Sequence, residues 1–140
     1  MEESLMFLTP DEISLIKLKL SKNHRSQKDY MKIESLLMEK DVYVVECLTE
    51  HQEIQNISSL MCVGGMLLAF TNQEDCSRQM ETFANNIGCD LEYNLRAMAF
   101  VGVAALADKN NVKLAIDFDS TGKESFLLYG QGHFDVVRMG

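Results

Sequence analysis

Apolar residues recur along the chain with two different periods. The run Met66-Leu67-Leu68-Ala69-Phe70 is followed at once by a stripe of Cys76, Met80, Phe83 and Ile87 at steps of four, three and four. Five consecutive apolar residues, bounded by Gly64-Gly65 and by a cap signal, predict a strand buried on both faces. The stripe predicts one face of a helix. Between them, Thr71-Asn72-Gln73-Glu74 has the form of a capping box, with the hydroxyl of Thr71 accepting from a backbone N–H and Glu74 reaching back. Gly88 stands where a left-handed C-terminal cap is expected.

The same patterns place the other elements. Thr9-Pro10-Asp11-Glu12 is a helix start, with Pro10 where its missing donor costs nothing and Glu12 closing the box. Ile13, Ile16 and Leu20 form its stripe, although Leu18 and Leu20 also alternate as in a strand. Ser26 and Asp29 cap a second helix carrying Tyr30, Ile33, Leu37 and Met38 inward. Val42 to Leu48 is β-branched enough for a central strand, and Leu60 to Val63 pairs through Gly64-Gly65 with the Met66 strand as a hairpin. Leu91 to Leu95 alternates as an edge strand or extended connector, and alanine-rich Arg96 to Lys109 is expected as a helix pressed against the sheet by its small residues. Val112 to Phe118 and Glu124 to Tyr129 form a C-terminal hairpin around Ser120 to Lys123, and His133 to Met139 is a further strand or a frayed end. These elements add up to an α+β fold: a mixed or antiparallel sheet of about five strands with helices packed on it. A helical extension over residues 1–25 would flank one domain over 26–140.

A chain of 140 residues has room for one core. Its apolar runs are shorter than the roughly 20 residues that cross a bilayer, and no basic-then-apolar signal region opens it. The expectation is a cytosolic protein without a membrane partner. Thirteen basic against 21 acidic residues leave a net charge of −8, which opposes phosphate backbones and argues against nucleic acid. Cys47, Cys62, Cys76 and Cys89 show no Cys-x-x-Cys spacing and no histidine at ligand distance, so they read as small buried hydrophobes in a reducing compartment, with neither zinc nor disulfides.

From Val42 onward the element order resembles the N-terminal domain of the SseB (enhanced serine sensitivity) family. The residues carrying the likeness are Val42-Tyr43-Val44-Val45, Leu68-Ala69-Phe70-Thr71-Asn72 leading into a helix, and Lys113-Leu114-Ala115-Ile116-Asp117-Phe118-Asp119-Ser120 after a second helix. The likeness spans roughly Tyr30 to Tyr129, and Asp117-Phe118 stands where the family commonly has Asn-Pro. The resemblance implies an intracellular bacterial α+β domain without established catalytic residues.

Candidate chemistry concentrates at Ile116-Asp117-Phe118-Asp119-Ser120-Thr121. A strand ending in Asp-x-Asp before Ser or Thr looks like the nucleophile loop of haloacid-dehalogenase-type phosphatases, with Asp117 attacking phosphorus, Asp119 as acid and base, and magnesium between them. Only 19 residues follow Thr121, too few for the lysine and acidic pair that chemistry needs, and Ser120 to Lys123 also suits a hairpin turn. Asp117, Asp119, Ser120, Thr121 and Glu124 are therefore candidate binding residues, with no catalytic or metal-ligating residue and no cofactor assigned. Met31, Met38, Met61, Met66, Met80 and Met98 fall on expected inner faces; methionines on an exposed patch would instead mark a protein partner or self-association. The expected function is a non-enzymatic binding or interaction module. The alternatives are a magnesium-dependent hydrolase using Asp117 and Asp119, and an immunity- or antitoxin-like protein whose acidic surface meets a basic partner.

Overall fold

The computed structural model describes residues 6–22, 24–119, 121 and 126–137. Two N-terminal helices, α1 (Pro10–Ser21) and α2 (Gln27–Leu37), lead into β1 (Asp41–Cys47). Three short strands follow, β2 (Gln55–Ile57), β3 (Leu60–Val63) and β4 (Met66–Ala69). Next come α3 (Gln73–Ile87), β5 (Tyr93–Ala99), α4 (Phe100–Lys109), β6 (Lys113–Ile116), β7 (Phe126–Gly130) and β8 (His133–Val137). The strands form one eight-stranded sheet in the order β5-β1-β3-β4-β6-β7-β8, with β2 paired to β3. The α+β class agrees with the sequence, and the sheet is larger than the five strands expected. Most pairings are antiparallel; β4 and β6 run parallel, Met66 opposite Lys113 through Ala69 opposite Ile116.

Strand alternation sorts the apolar residues into two cores. On one face Val42, Val44, Leu67, Ala69, Leu114 and Ile116 pack with Ile16 of α1, Ile33 and Leu37 of α2, and Phe100, Val103 and Ala107 of α4. On the other, Val45, Leu68, Phe70 and Ala115 pack with Cys76, Met80 and Phe83 of α3. The Met66 run is thus buried on both faces, as its unbroken hydrophobicity requires. Leu8 and Ile16 belong to the first core, so the segment read as an extension helps to cover the sheet.

Three details depart from the sequence reading. The helix expected from Arg96 begins at Phe100, because Tyr93–Ala99 pairs residue for residue with β1, and that tertiary pairing outweighs the helix propensity of the alanines. Within α4 the close packing comes from Ala104 and Ala107, while Gly102 faces open space. Met31 points outward at 61% exposure, whereas Met61 and Met80 are buried. Phe70 continues past β4 to exchange 2.8 Å hydrogen bonds with Tyr43 of β1, so the end of β4 is clamped across the short β3. No helix among the described residues is long and apolar enough to cross a membrane.

Both N-terminal capping boxes form as the sequence indicates. Thr9 and Glu12 close α1, and Ser26 and Asp29 close α2. Asp29 does more than cap, since its Oδ1 accepts from Lys19 Nζ at 3.0 Å and Lys22 Nζ at 3.1 Å, tying α1 to α2. The backbone N–H of Ser26 and the two lysines hold its carboxyl well below the usual range. A carboxyl lowered in the folded state stabilises above its unfolded pKa, and that contribution fades as pH falls through the folded value. Asp29→Ala should therefore lower the urea midpoint at pH 7, and the gap to wild type should narrow below about pH 4. A gap independent of pH in urea titrations would show that the charge of Asp29 contributes nothing.

Candidate functional site

The parallel pair brings the carboxyl ends of β4 and β6 side by side, and in open α/β arrangements the crevice beyond such ends is where ligands bind. Asp117, immediately after β6, donates its backbone N–H to Ala69 O at 2.9 Å, which carries the pairing one step further. Its side chain then turns back. Oδ1 accepts from Thr71 N at 2.8 Å and Oδ2 from Thr71 Oγ1 at 2.7 Å. This fork explains why the expected capping role falls elsewhere: Asn72 caps α3, accepting from Asp75 N at 3.1 Å, because the hydroxyl of Thr71 is engaged by a carboxylate 46 positions later. The C-terminal end of α3 follows expectation, with Gly88 at φ 67°.

A cavity of about 300 Å³ opens beside this fork. Ile13, Ile16, Lys17 and Leu20 of α1 form one wall, Asp75, Arg78 and Gln79 of α3 another, and Phe70, Ile116 and Asp117 the floor. Phe118 and Asp119 complete it from the segment after β6. Asp119 is 6% exposed and accepts at Oδ1 from Gln79 Nε2 at 3.2 Å, Thr121 N at 3.0 Å and Thr121 Oγ1 at 2.6 Å. Arg78 meets Asp75 at 2.6 Å on the rim. The lining is thus half apolar and half polar, with most of the polar groups coming from the ends of β4 and β6 and from α3, and Lys17 and Ser21 from α1.

Electrostatically Asp117 is the unusual member. The residue keeps accessible surface at the cavity, yet protein surrounds its carboxyl, and that burial pushes the pKa above the ordinary carboxylate value. The two bonds from Thr71 pull in the opposite direction, the charge of Asp75 adds to the rise and Lys17 opposes it. Asp117 also adopts φ 59°, a left-handed conformation uncommon for a residue with a side chain. Nearby Cys76 is inert by the same logic: burial pushes its thiol up to about 12, with the Asp117 charge contributing. Cys62 is likewise raised by burial, to about 11.

Of the candidate residues read from the sequence, Asp117, Asp119 and Thr121 come together at the exit of β6, while Ser120 and Glu124 lie outside the described residues. Sequence reasoning missed Thr71 and Gln79 as their partners and the α1 wall entirely. An apolar strand meeting a hydroxyl residue at its carboxyl end was the available signal, but only the parallel pairing of β4 with β6 gives it a partner. Among the described residues no group of three or more His, Cys, Asp or Glu side chains is placed to hold a metal ion. No family model, curated protein or solved structure matches this chain, so the reading of the site rests on its geometry.

Proposed function

We propose that the protein is a non-enzymatic binding module that takes a small ligand into the cavity beneath α1. The observation that supports this reading is a chamber of mixed apolar and polar lining that opens at the carboxyl ends of a parallel strand pair. At about 300 Å³ the chamber lies at the lower end of the range for ligand pockets, which suits a compact molecule. The SseB-like element order from Val42 points the same way, since that resemblance implies no catalytic residues. The hydrolase alternative has less behind it, since the two carboxylates it needs already have structural partners, Asp117 in Thr71 and Asp119 in Gln79 and Thr121.

The reading is tested by NMR titration of the whole chain with three probes sharing one alkyl tail: n-hexanol, hexanoate and n-hexylammonium. At least one should move the amide signals of Thr71, Gln79 and Asp117. Ile13→Trp, which fills the chamber from α1, should suppress that response by about tenfold or more in affinity. If no probe shifts those signals, the chamber is packing space and the binding reading fails.

A further inference from the structure

Resting on that binding reading, we infer that the chamber selects a primary ammonium group carried on an apolar body, with Asp117 as its counter-charge. A carboxylate offers about four acceptor directions, and Thr71 occupies one on each oxygen of Asp117. Both of those donors are neutral in formal charge. Among the described residues no lysine or arginine lies within ion-pairing distance of Asp117, in contrast with Asp29 and Asp75, which both have cationic partners. Asp117 is half-buried, and a carboxylate that gives up part of its hydration without a cationic partner leaves that cost uncompensated. An entering ammonium supplies the missing charge and up to three donors for the remaining acceptor directions.

The surroundings set the rest of the ligand. Ile13, Ile16, Leu20 and Phe118 supply apolar surface in the same chamber and match an aliphatic tail. The charged groups facing Asp117 are Asp75 from α3 and Lys17 from α1, with Arg78 on the rim paired to Asp75 and Asp119 across the floor. Arg78 is engaged by Asp75 and Lys17 stands at an exposed position, so the charge that a ligand meets beside the fork is the Asp117 carboxylate, which favours a cation over an organic anion. Recognition is by charge and tail together: burial weakens the competition from water for the ion pair, and the apolar walls reward the tail.

Three variants and the same three probes test the assignment. n-Hexylammonium should bind the wild-type chain more tightly than n-hexanol or hexanoate, and Asp117→Asn should weaken the ammonium by about tenfold or more while leaving n-hexanol within about twofold. Lys17→Ala, at an exposed position, should tighten the ammonium by removing a like charge from the rim. Ile13→Trp should weaken the response to every probe by about tenfold or more. Ammonium affinity unchanged in Asp117→Asn, or weakened in Lys17→Ala, would overturn the assignment. Binding of n-hexanol or hexanoate without n-hexylammonium would likewise remove the ammonium selectivity while leaving the binding module standing; silence from all three would remove both.

Discussion

Phe100→Ala is expected to lower the unfolding free energy by about 3–5 kcal/mol, the largest effect of any single truncation considered for this chain. Phe100 is fully buried and opens α4 immediately after β5. Its backbone N–H donates to Lys40 O at 2.9 Å, which fixes the start of the helix beside the entry to β1. Its ring meets Tyr129 of β7 edge-on, with centroids 5.3 Å apart, and shares a core with Val103, Leu114 and Leu127. Leu114 of β6 and Leu127 and Tyr129 of β7 are held in register by the sheet, so they cannot collapse into the space the ring leaves. A domain of this size has about 5–15 kcal/mol in total, and the loss would be a large fraction of it. Val101, the next residue, is 48% exposed, and Val101→Ala should stay within about 0.5 kcal/mol. Urea denaturation of both variants checks the contrast: the Phe100→Ala midpoint should fall with an unchanged slope. Equal midpoints for the two variants would mean that α4 does not pack as described.

Asp117→Asn should raise stability at pH 7, and the gain should shrink as the solution is acidified. The sign follows from the direction of the shift. Burial raises the folded-state pKa of Asp117 above its unfolded value of 3.8. Below that unfolded value the group is protonated in both states and costs nothing; as pH rises through the folded value, the charge is forced into the interior and stability is lost. Asparagine carries no such charge. Its amide oxygen can accept from Thr71 N, the hydroxyl of Thr71 can rotate to accept from its NH2, and its short polar side chain tolerates φ 59° better than most. Asp117→Ala separates charge from hydrogen bonding, because it leaves the donors of buried Thr71 without an acceptor and should destabilise by about 1–3 kcal/mol. Melting temperatures of both variants from pH 4 to pH 8 provide the measurement. A fall for Asp117→Asn that is the same at every pH would show that the carboxylate is a structural fastening and not a charge held at a cost. Asp29 gives the internal comparison, because its lowered pKa makes its own contribution grow in the opposite direction.

Phe100 belongs to the core and Asp117 to the lining of the cavity. They are coupled through the end of β6, where Leu114 and Ile116 share the core with Phe100 and Asp117 leaves it.

Elements whose signals are local were legible in the chain. Thr9 with Glu12, and Ser26 with Asp29, form the capping boxes their spacing indicates, and Gly88 closes α3 in the left-handed region. The unbroken apolar run at Met66 is buried on both faces, and the Gly64-Gly65 hairpin forms at the expected place. Such features depend on contacts a few residues apart, or on hydrophobicity that any sheet would bury. Decisions involving a distant competitor were not legible. Arg96–Ala99 has helical composition and becomes strand because β1 offers it a full ladder of partners. Polar Gln55–Ile57 becomes a strand because β3 offers an edge. Thr71 looks like a cap and instead holds Asp117, 46 positions away, since only the parallel alignment of β4 and β6 brings them within hydrogen-bond reach. The sequence by itself determined the capped starts of α1 and α2, the left-handed end of α3, the two-faced burial of β4 and the α+β class. Tertiary structure alone decided strand pairing, the α1 wall and the setting of Asp117, because those depend on which segments meet, and a buried charge acquires its chemistry from what surrounds it.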